Sequence, residues 1–459
     1  MKRRTILRPR ATSETPLLSL KRFLLAAALF HLVLTVTVVT LGRNVFLPGT
    51  FDTNGTATSI ASDGVGHRED TVVLAQTLRS GEFNSWFNSA YPFHVKVYSI
   101  SFAIFGSLLG FNILAGEPVN LLCYLGILML VWKLGEEIFD SRAGLVAALV
   151  VALWPSFALH TTQLLKDPLF IFGMLALILA MMRLLKGTCS WRKALLNGLV
   201  AASITALLWK VRADMGPVLV ATVTLGAAAL GLRQFQLRRV TAPSLAGMVL
   251  NVILTASAIL WLPVYRDSDN PRHREREAAK ARVINSTEMR PVVRWWQLGA
   301  QVSTVRRRFV TMYPEASANI DVNVQFTNTM DLIRYLPRAT VIGFFAPFPK
   351  MWFETGNSVG SLGRILAGVE MLLMYVIEAL AMVGLWRGRR ARRGLSVWLL
   401  FSIAAIGTIA LGLVVVNVGT LYRLRYVFLI LLIILAARGA AHILDWLTKR
   451  QAPMKKGSA

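Results

Sequence analysis

The sequence predicts an all-α polytopic membrane protein with about ten transmembrane helices. Three observations carry that prediction. Hydrophobic residues make up 55% of the 459-residue chain, with a mean hydropathy of +0.54. Apolar runs near the length of a bilayer crossing recur from one end to the other. The formal net charge of +26 collects largely in short basic clusters between those runs. In a soluble protein such a charge would point to nucleic acid; set between apolar runs it is an orientation signal and a contact for membrane lipids, and no nucleic-acid partner is expected. The two cysteines, Cys123 in an apolar run and Cys189 in a basic loop, support neither a disulfide nor a thiolate metal site.

Lys2, Arg3, Arg4, Arg8, Arg10, Lys21 and Arg22 precede an apolar run ending near Leu41, which reads as an uncleaved first span with a cytoplasmic N-terminus. Residues 43–92 are then an outer polar loop, and residues 92–110, broken by His94 and Lys96, a helix lying along the outer surface. Residues 117–132 cross inward, 133–142 form a charged turn, and 143–159 cross outward. That brings a polar corner with His160, Gln163, Lys166 and Asp167 to the outer face. Pro168 suits the first turn of the helix after it, where a missing N–H costs nothing. Further spans are predicted near residues 168–185, 195–209, 215–231, 244–262, 364–386, 395–416 and 426–444, with both termini cytoplasmic. Residues 263–338 form a long arginine-rich outer loop, expected to be a solvated or lipid-facing surface. Residues 339–353, interrupted by Pro347 and Pro349, are expected to be interfacial or re-entrant. Glu370 and Glu378 are expensive in the eighth span and imply partners that sequence does not name.

SDGVGHREDTVVLAQTLRSGEF (62–83), YPFHVKVYSISFAIFG (91–106) and PSFALHTTQLLKDPLF (155–170) carry a resemblance. With the layout of spans, they resemble the GT-C glycosyltransferases that use polyprenyl-phosphate sugars, the class of protein O-mannosyltransferases and the lipid A aminoarabinose transferase. The resemblance covers residues 1–215, a GT-C-like catalytic core whose first outer loop and surface helix span 43–116. Residues 216–459 form a variable membrane half, in which NVGTLYRLRYVF (417–428) and YLPRATVIGFFAPFP (335–349) look like segments of bacterial members. The resemblance implies an acidic base in the first outer loop, best matched by Asp63 with His67 four positions on; Asp52 and Asp70 compete with it. His67 stands where the family more often has an aromatic. The second acidic position is matched by Asp167 before Pro168.

The residues themselves suit that chemistry. A lipid phosphate is already a good leaving group, so transfer needs a base for the acceptor hydroxyl and cations for the departing phosphate. Asp63 is the candidate base. His67, Lys166, Lys210, Arg212, Arg423 and Arg425 are the candidate substrate and phosphate contacts, arginine's planar fork favouring the last three. Each has a plainer reading: a solvated carboxylate for Asp63, a helix-start residue for Asp167, a headgroup anchor for Arg423 and Arg425. A divalent-metal site using Asp70 or His160 lacks any ligand-spacing motif. The expectation is an inverting glycosyltransferase of the bacterial cytoplasmic membrane. Its donor would be a polyprenyl-phosphate sugar and its acceptor a glycan, lipid or protein on the outer face. Two alternatives stand beside it: a polysaccharide polymerase or ligase using polyprenyl-diphosphate glycans, and a lipid-linked sugar flippase or transporter.

Overall fold

The structure is a computed structural model that describes residues 16–44, 56–58, 60–187, 190–263, 297–312, 318–353, 360–388 and 394–451. The described residues are helical throughout, apart from turns and one isolated antiparallel bridge between Asn319 and Asn417. Among them, nine helices are long and apolar enough to cross a membrane, and a bent pair makes up to ten. The predicted fold class is borne out.

Helix α1 (Pro16–Arg43) is the first span. The expected polar loop after it holds two helices, α2 (Ser62–Arg79) and α3 (Phe83–Asn88). Sequence missed α2 because only a narrow stripe of it is buried: Asp70, Thr71, Leu74 and Ala75, at helical spacing in an otherwise polar stretch. Helix α4 (Phe93–Leu109) buries Val95, Tyr98 and Phe102, and leaves Ile100, Ile104 and Leu108 exposed along the other face. That two-sided pattern is the one expected of an interfacial helix.

Helix α5 (Ile113–Ile138) begins at Asn112, whose side chain accepts from the Leu114 N–H. In α5, Glu117 is nearly fully buried, and an unpaired carboxylate in hydrocarbon would cost several kcal/mol. It is paired instead. Its oxygens meet His31 Nδ1 at 2.8 Å and the Thr35 hydroxyl at 2.9 Å, and His31 Nε2 reaches Thr161 Oγ1 at 3.0 Å, fastening α1 to the second and third spans.

The third span is not straight. Helix α6 (Ser141–Ala152) and helix α7 (Pro155–Thr161) meet at 70°. Pro155 lacks the N–H that would continue the ladder and biases Trp154 to extended backbone, observed at φ −70°, ψ 111°. Helix α8 (Asp167–Lys186) comes next, with Pro168 in its first turn, and ends at Gly187, whose φ of +69° makes the left-handed cap that glycine adopts without strain. Helices α9 (Trp191–Val211), α10 (Gly216–Leu237) and α11 (Ala242–Trp261) are spans. Gly198 lets α9 and α11 touch backbone to backbone: a Cβ there would lie 2.1 Å from the Gly247 carbonyl oxygen.

Two expectations for residues 263–353 are corrected. Helix α12 (Leu298–Met312) and helix α13 (Thr329–Phe345) occupy much of the described part, so residue 339 falls inside a helix and not at the start of a separate segment. Asn328 and Asp331 form a capping box that starts α13 in polar sequence. The arginines are not all a solvated surface either. Arg306 is 3% exposed, lies against the Phe326 and Tyr335 rings, and donates to the carbonyls of Leu413 and Asp321 at 2.8 Å each. Arg338 grips the Asp321 carboxylate at 2.9 Å. Residues Arg266 to Arg294 of this loop lie outside the described residues.

The last elements are α14 (Gly360–Gly388), α15 (Gly394–Val414), α16 (Val418–Leu424) and α17 (Tyr426–Gln451). Glu370 of α14 has found its partners: it accepts from the Ser156 N–H at 2.6 Å, from the Ser156 hydroxyl at 2.5 Å and from the Tyr422 hydroxyl.

Candidate active site

Four pieces of chain meet at one end of the bundle. The first turn of α2 supplies Asp63 and, one turn on, His67. The corner between α7 and α8 supplies Gln163, Lys166 and Asp167. Arg212 is the residue that closes α9, and Arg423 lies on α16. The corner is held from below by Tyr98, whose hydroxyl donates to the Leu165 carbonyl at 3.2 Å and to Asn120 Oδ1 at 2.6 Å.

The charges form a chain. Arg212 donates from a terminal nitrogen to Asp167 Oδ1 at 2.6 Å, with both side chains at most 5% exposed. Arg423 Nε lies 3.3 Å from the other oxygen of Asp167, while its terminal nitrogen donates to Asp63 Oδ2 at 2.6 Å. One guanidinium thus joins two carboxylates that sequence had placed in separate roles. The side chain of Lys166, half-buried beside them, makes no hydrogen bond or ion pair among the described residues. Among the described residues Asp63 and Asp167 face Lys166, Arg212 and Arg423, and a third carboxylate, Asp214, lies 3.9 Å from Arg212 and is 58% exposed at the rim.

Burial opposes the charge on Asp63, yet the guanidinium of Arg423 and its hydrogen bond, with Lys166 nearby, hold the carboxyl below its ordinary range. In His67 burial outweighs the attraction of Asp63 and pulls the imidazole down to about 4, so it is neutral at pH 7. The His94 ring meets it edge to face with centroids 4.4 Å apart. Burial likewise drives His94 well below the usual histidine range. Among the described residues neither ring nitrogen of His94 has a hydrogen-bond partner, nor do Gln163 Oε1 or Arg212 Nε. Buried polar atoms left unmet cost about 1–3 kcal/mol each, and here they gather where the charges gather.

Two predicted phosphate holders are engaged elsewhere. Lys210 donates to the Pro263 carbonyl at 2.7 Å. Arg425 is 2% exposed and donates to the carbonyls of Gly343 at 3.0 Å and Ala346 at 2.9 Å, closing the end of α13. The two metal candidates also stand apart. His160 Nδ1 contacts the Ser156 carbonyl at 2.6 Å and the Tyr426 hydroxyl at 3.1 Å, Asp70 is buried two turns below Asp63, and among the described residues no three His, Cys, Asp or Glu side chains converge to hold a metal. Asp52 lies outside the described residues. Sequence reasoning missed the roles of Tyr98, Asn120 and Ser156, for which the only signal was a polar residue recurring inside apolar runs.

Residues 94–261 match the family described as dolichyl-phosphate-mannose-protein mannosyltransferase. This match bears out the resemblance read from the sequence. No curated protein matches the chain. Among solved structures, the archaeal oligosaccharyltransferase AglB from Archaeoglobus fulgidus, in complex with an inhibitory peptide and a dolichol-phosphate, is similar at 13% identity and a TM-score of 0.41. The alignment covers 94% of this chain and 53% of that one. An oligosaccharyltransferase of the same organism in the apo form is similar at 12% identity and a TM-score of 0.45, over 94% and 52%. The chain spans about half the length of both.

Proposed function

We propose that this protein is a glycosyltransferase that moves a sugar from a polyprenyl-phosphate donor to an acceptor hydroxyl at the outer face of a bacterial cytoplasmic membrane. The observation that carries the reading is Arg423, shared between Asp63 and Asp167 beside Lys166 and Arg212. Its support from comparison is the match of residues 94–261 to a mannosyltransferase family.

In the proposed reaction an acceptor oxygen attacks the anomeric carbon as the bond from that carbon to the phosphate oxygen breaks. The electron pair leaves with the phosphate, and the acceptor proton passes to Asp63. A single displacement inverts the anomeric centre. Arg423, Lys166 and Arg212 offer N–H groups to the phosphate oxygens as negative charge develops on them. With Arg423 on its carboxylate, Asp63 is a weak base. A phosphate taking N–H groups of Arg423 would free Asp63, so acceptor activation would follow donor arrival. Asp167 stays ionised against Arg212 and fixes the second cation.

The position of the cluster bears on the transporter alternative. For a transporter, a site near the bilayer midplane is the usual arrangement. Here Asp167 opens the α8 span, Arg212 directly follows α9, and Arg423 lies just before the span that starts at Tyr426. The catalytic core is proposed to reside in residues 1–215, with Arg423 contributed by the second half.

The test is mass-spectrometric identification of the carrier released when reconstituted protein is given native membrane lipid extract. Polyprenyl monophosphate from wild type and none from Asp63→Asn supports the proposal. Polyprenyl diphosphate moves the assignment to a polymerase or ligase.

A further inference from the structure

At the opposite ends of α10 and α11 from the Pro263 side lies a second feature. Ala227, Leu230 and Gly231 of α10 face Leu245, Met248, Val249 and Val252 of α11 across an apolar groove of about 190 Å³. Gly231 has no side chain to close it, and a Cβ added there meets nothing within 4 Å. Leu245, Val249 and Val252 are 40–46% exposed along its wall.

The groove opens beneath a cationic rim. Helix α10 ends at Arg238, followed by Arg239, and both are exposed with no side-chain partner among the described residues. Gly187, at the end of α8, adjoins Thr241, and Arg233 donates to the Leu185 carbonyl, so the end of α8 sits against the same rim. The first turn of α9, which packs against α11 through Ala194 and Gly247, carries exposed Arg192 and Lys193. Glu137, the carboxylate on the neighbouring α5, is already held by Arg183 and Lys186. Among the described residues the rim therefore carries uncompensated positive charge. At 1.5 Å per residue, Gly231 and Leu245 lie about 6–11 Å along their helices from the Arg238 to Thr241 turn. That is about the step from headgroup to hydrocarbon in a bilayer. Phe235 and Val240, 82% and 72% exposed, set the rim itself at an apolar boundary.

We infer that this groove binds one anionic phospholipid, its phosphate on the Arg238, Arg239 rim and an acyl chain between α10 and α11. The match is one of charge and depth together: a zwitterionic lipid brings the same phosphate with a cation of its own beside it and so answers the rim more weakly, and a soluble phosphate answers the rim without entering the groove. The site is separate from the proposed catalytic cluster and does not depend on its assignment.

Native mass spectrometry of the delipidated protein titrated with phosphatidylglycerol or phosphatidylcholine tests this. Wild type is expected to retain one phosphatidylglycerol at least tenfold more tightly than phosphatidylcholine. Arg238→Gln with Arg239→Gln should abolish the preference. Gly231→Leu, which fills open space and leaves every charge in place, should abolish the tight single binding. Equal retention of the two lipids by wild type, or an unchanged preference in either variant, overturns the inference; in the Gly231→Leu case the attraction would be diffuse surface charge and not a groove.

Discussion

Replacing Asp63 by Asn separates catalysis from structure at this site. The Asp63 and Arg423 side chains are 31% and 14% exposed. A pair so placed contributes about 0.2–1 kcal/mol to stability, well below the several kcal/mol of a sequestered pair. Arg423 keeps Asp167 at 3.3 Å when Asp63 is neutral, so no buried charge is stranded. The apparent melting temperature should therefore hardly move. Activity should fall by about 10²–10⁴, the usual worth of a general base. Donor binding has the opposite sign: removing a carboxylate that competes for Arg423 should tighten polyprenyl-phosphate binding by the pair's own worth, about 1.4- to 5-fold. The assay is carrier release with wild type and Asp63→Asn, alongside titration of both with polyprenyl monophosphate. Full activity in the variant refutes Asp63 as base. Weaker donor binding refutes the competition for Arg423, because a merely structural carboxylate would loosen the guanidinium when lost.

Other outcomes rest on the same geometry. His67 is neutral in the folded protein down to about 4, whereas an unfolded imidazole takes its proton near 6.5. The unfolded state binds more protons in that window, so stability is intact above it and falls by about 3 kcal/mol as pH drops to 4. Thermal melts across that range should show the loss, reduced in His67→Phe; identical profiles would contradict it. Glu370→Ala strands the buried Ser156 and Tyr422 donors and should cost about 3 kcal/mol or more, with Glu370→Gln intermediate. The order of melting temperatures checks this. Arg423→Gln should weaken polyprenyl-phosphate binding with little change in melting temperature. Arg425→Gln should do the reverse, having left the Gly343 and Ala346 carbonyls without their donor. Exhaustive chelation tests a divalent-metal role: activity that survives it retires that role, and loss restored by a divalent ion supports it.

The spans were legible in the sequence because apolar length is a local property, and the predicted run from 168 to 185 sits inside α8 (Asp167–Lys186). The features that were not legible depended on partners. The bend at Trp154 had a local signal in Pro155, outweighed by the apolar run on both sides. Helix α2 is amphipathic on too narrow a stripe to stand out before its neighbour α4 is known. The choice between Arg423 and Arg425 is geometric. Two residues apart on a helix point about 200° apart, so one reaches Asp63 and the other the end of α13. No sequence rule says which does which. The pairing of Asp63 with a residue 360 positions later is invisible to any local reading.

The two halves of the site share a construction that explains how they stay in register. Two short helices, α7 and α16, each of seven residues, lie just before a span whose first residues are at the site: α7 leads to Lys166 and Asp167, and α16 carries Arg423. Breaking a helix inside a membrane protein exposes backbone groups that must be met from elsewhere. Glu370 meets one of them, the Ser156 N–H at the start of α7, and the same carboxylate holds Tyr422, the residue beside Arg423. His160 near the end of α7 touches Tyr426 at the start of α17, a second tie across the same gap. The separation of Asp167 from Arg423 is thereby set by buried groups of α14 and α17 and not by the ion pair alone. Were a donor phosphate to replace one carboxylate on Arg423, as proposed, these ties would keep the corner from collapsing.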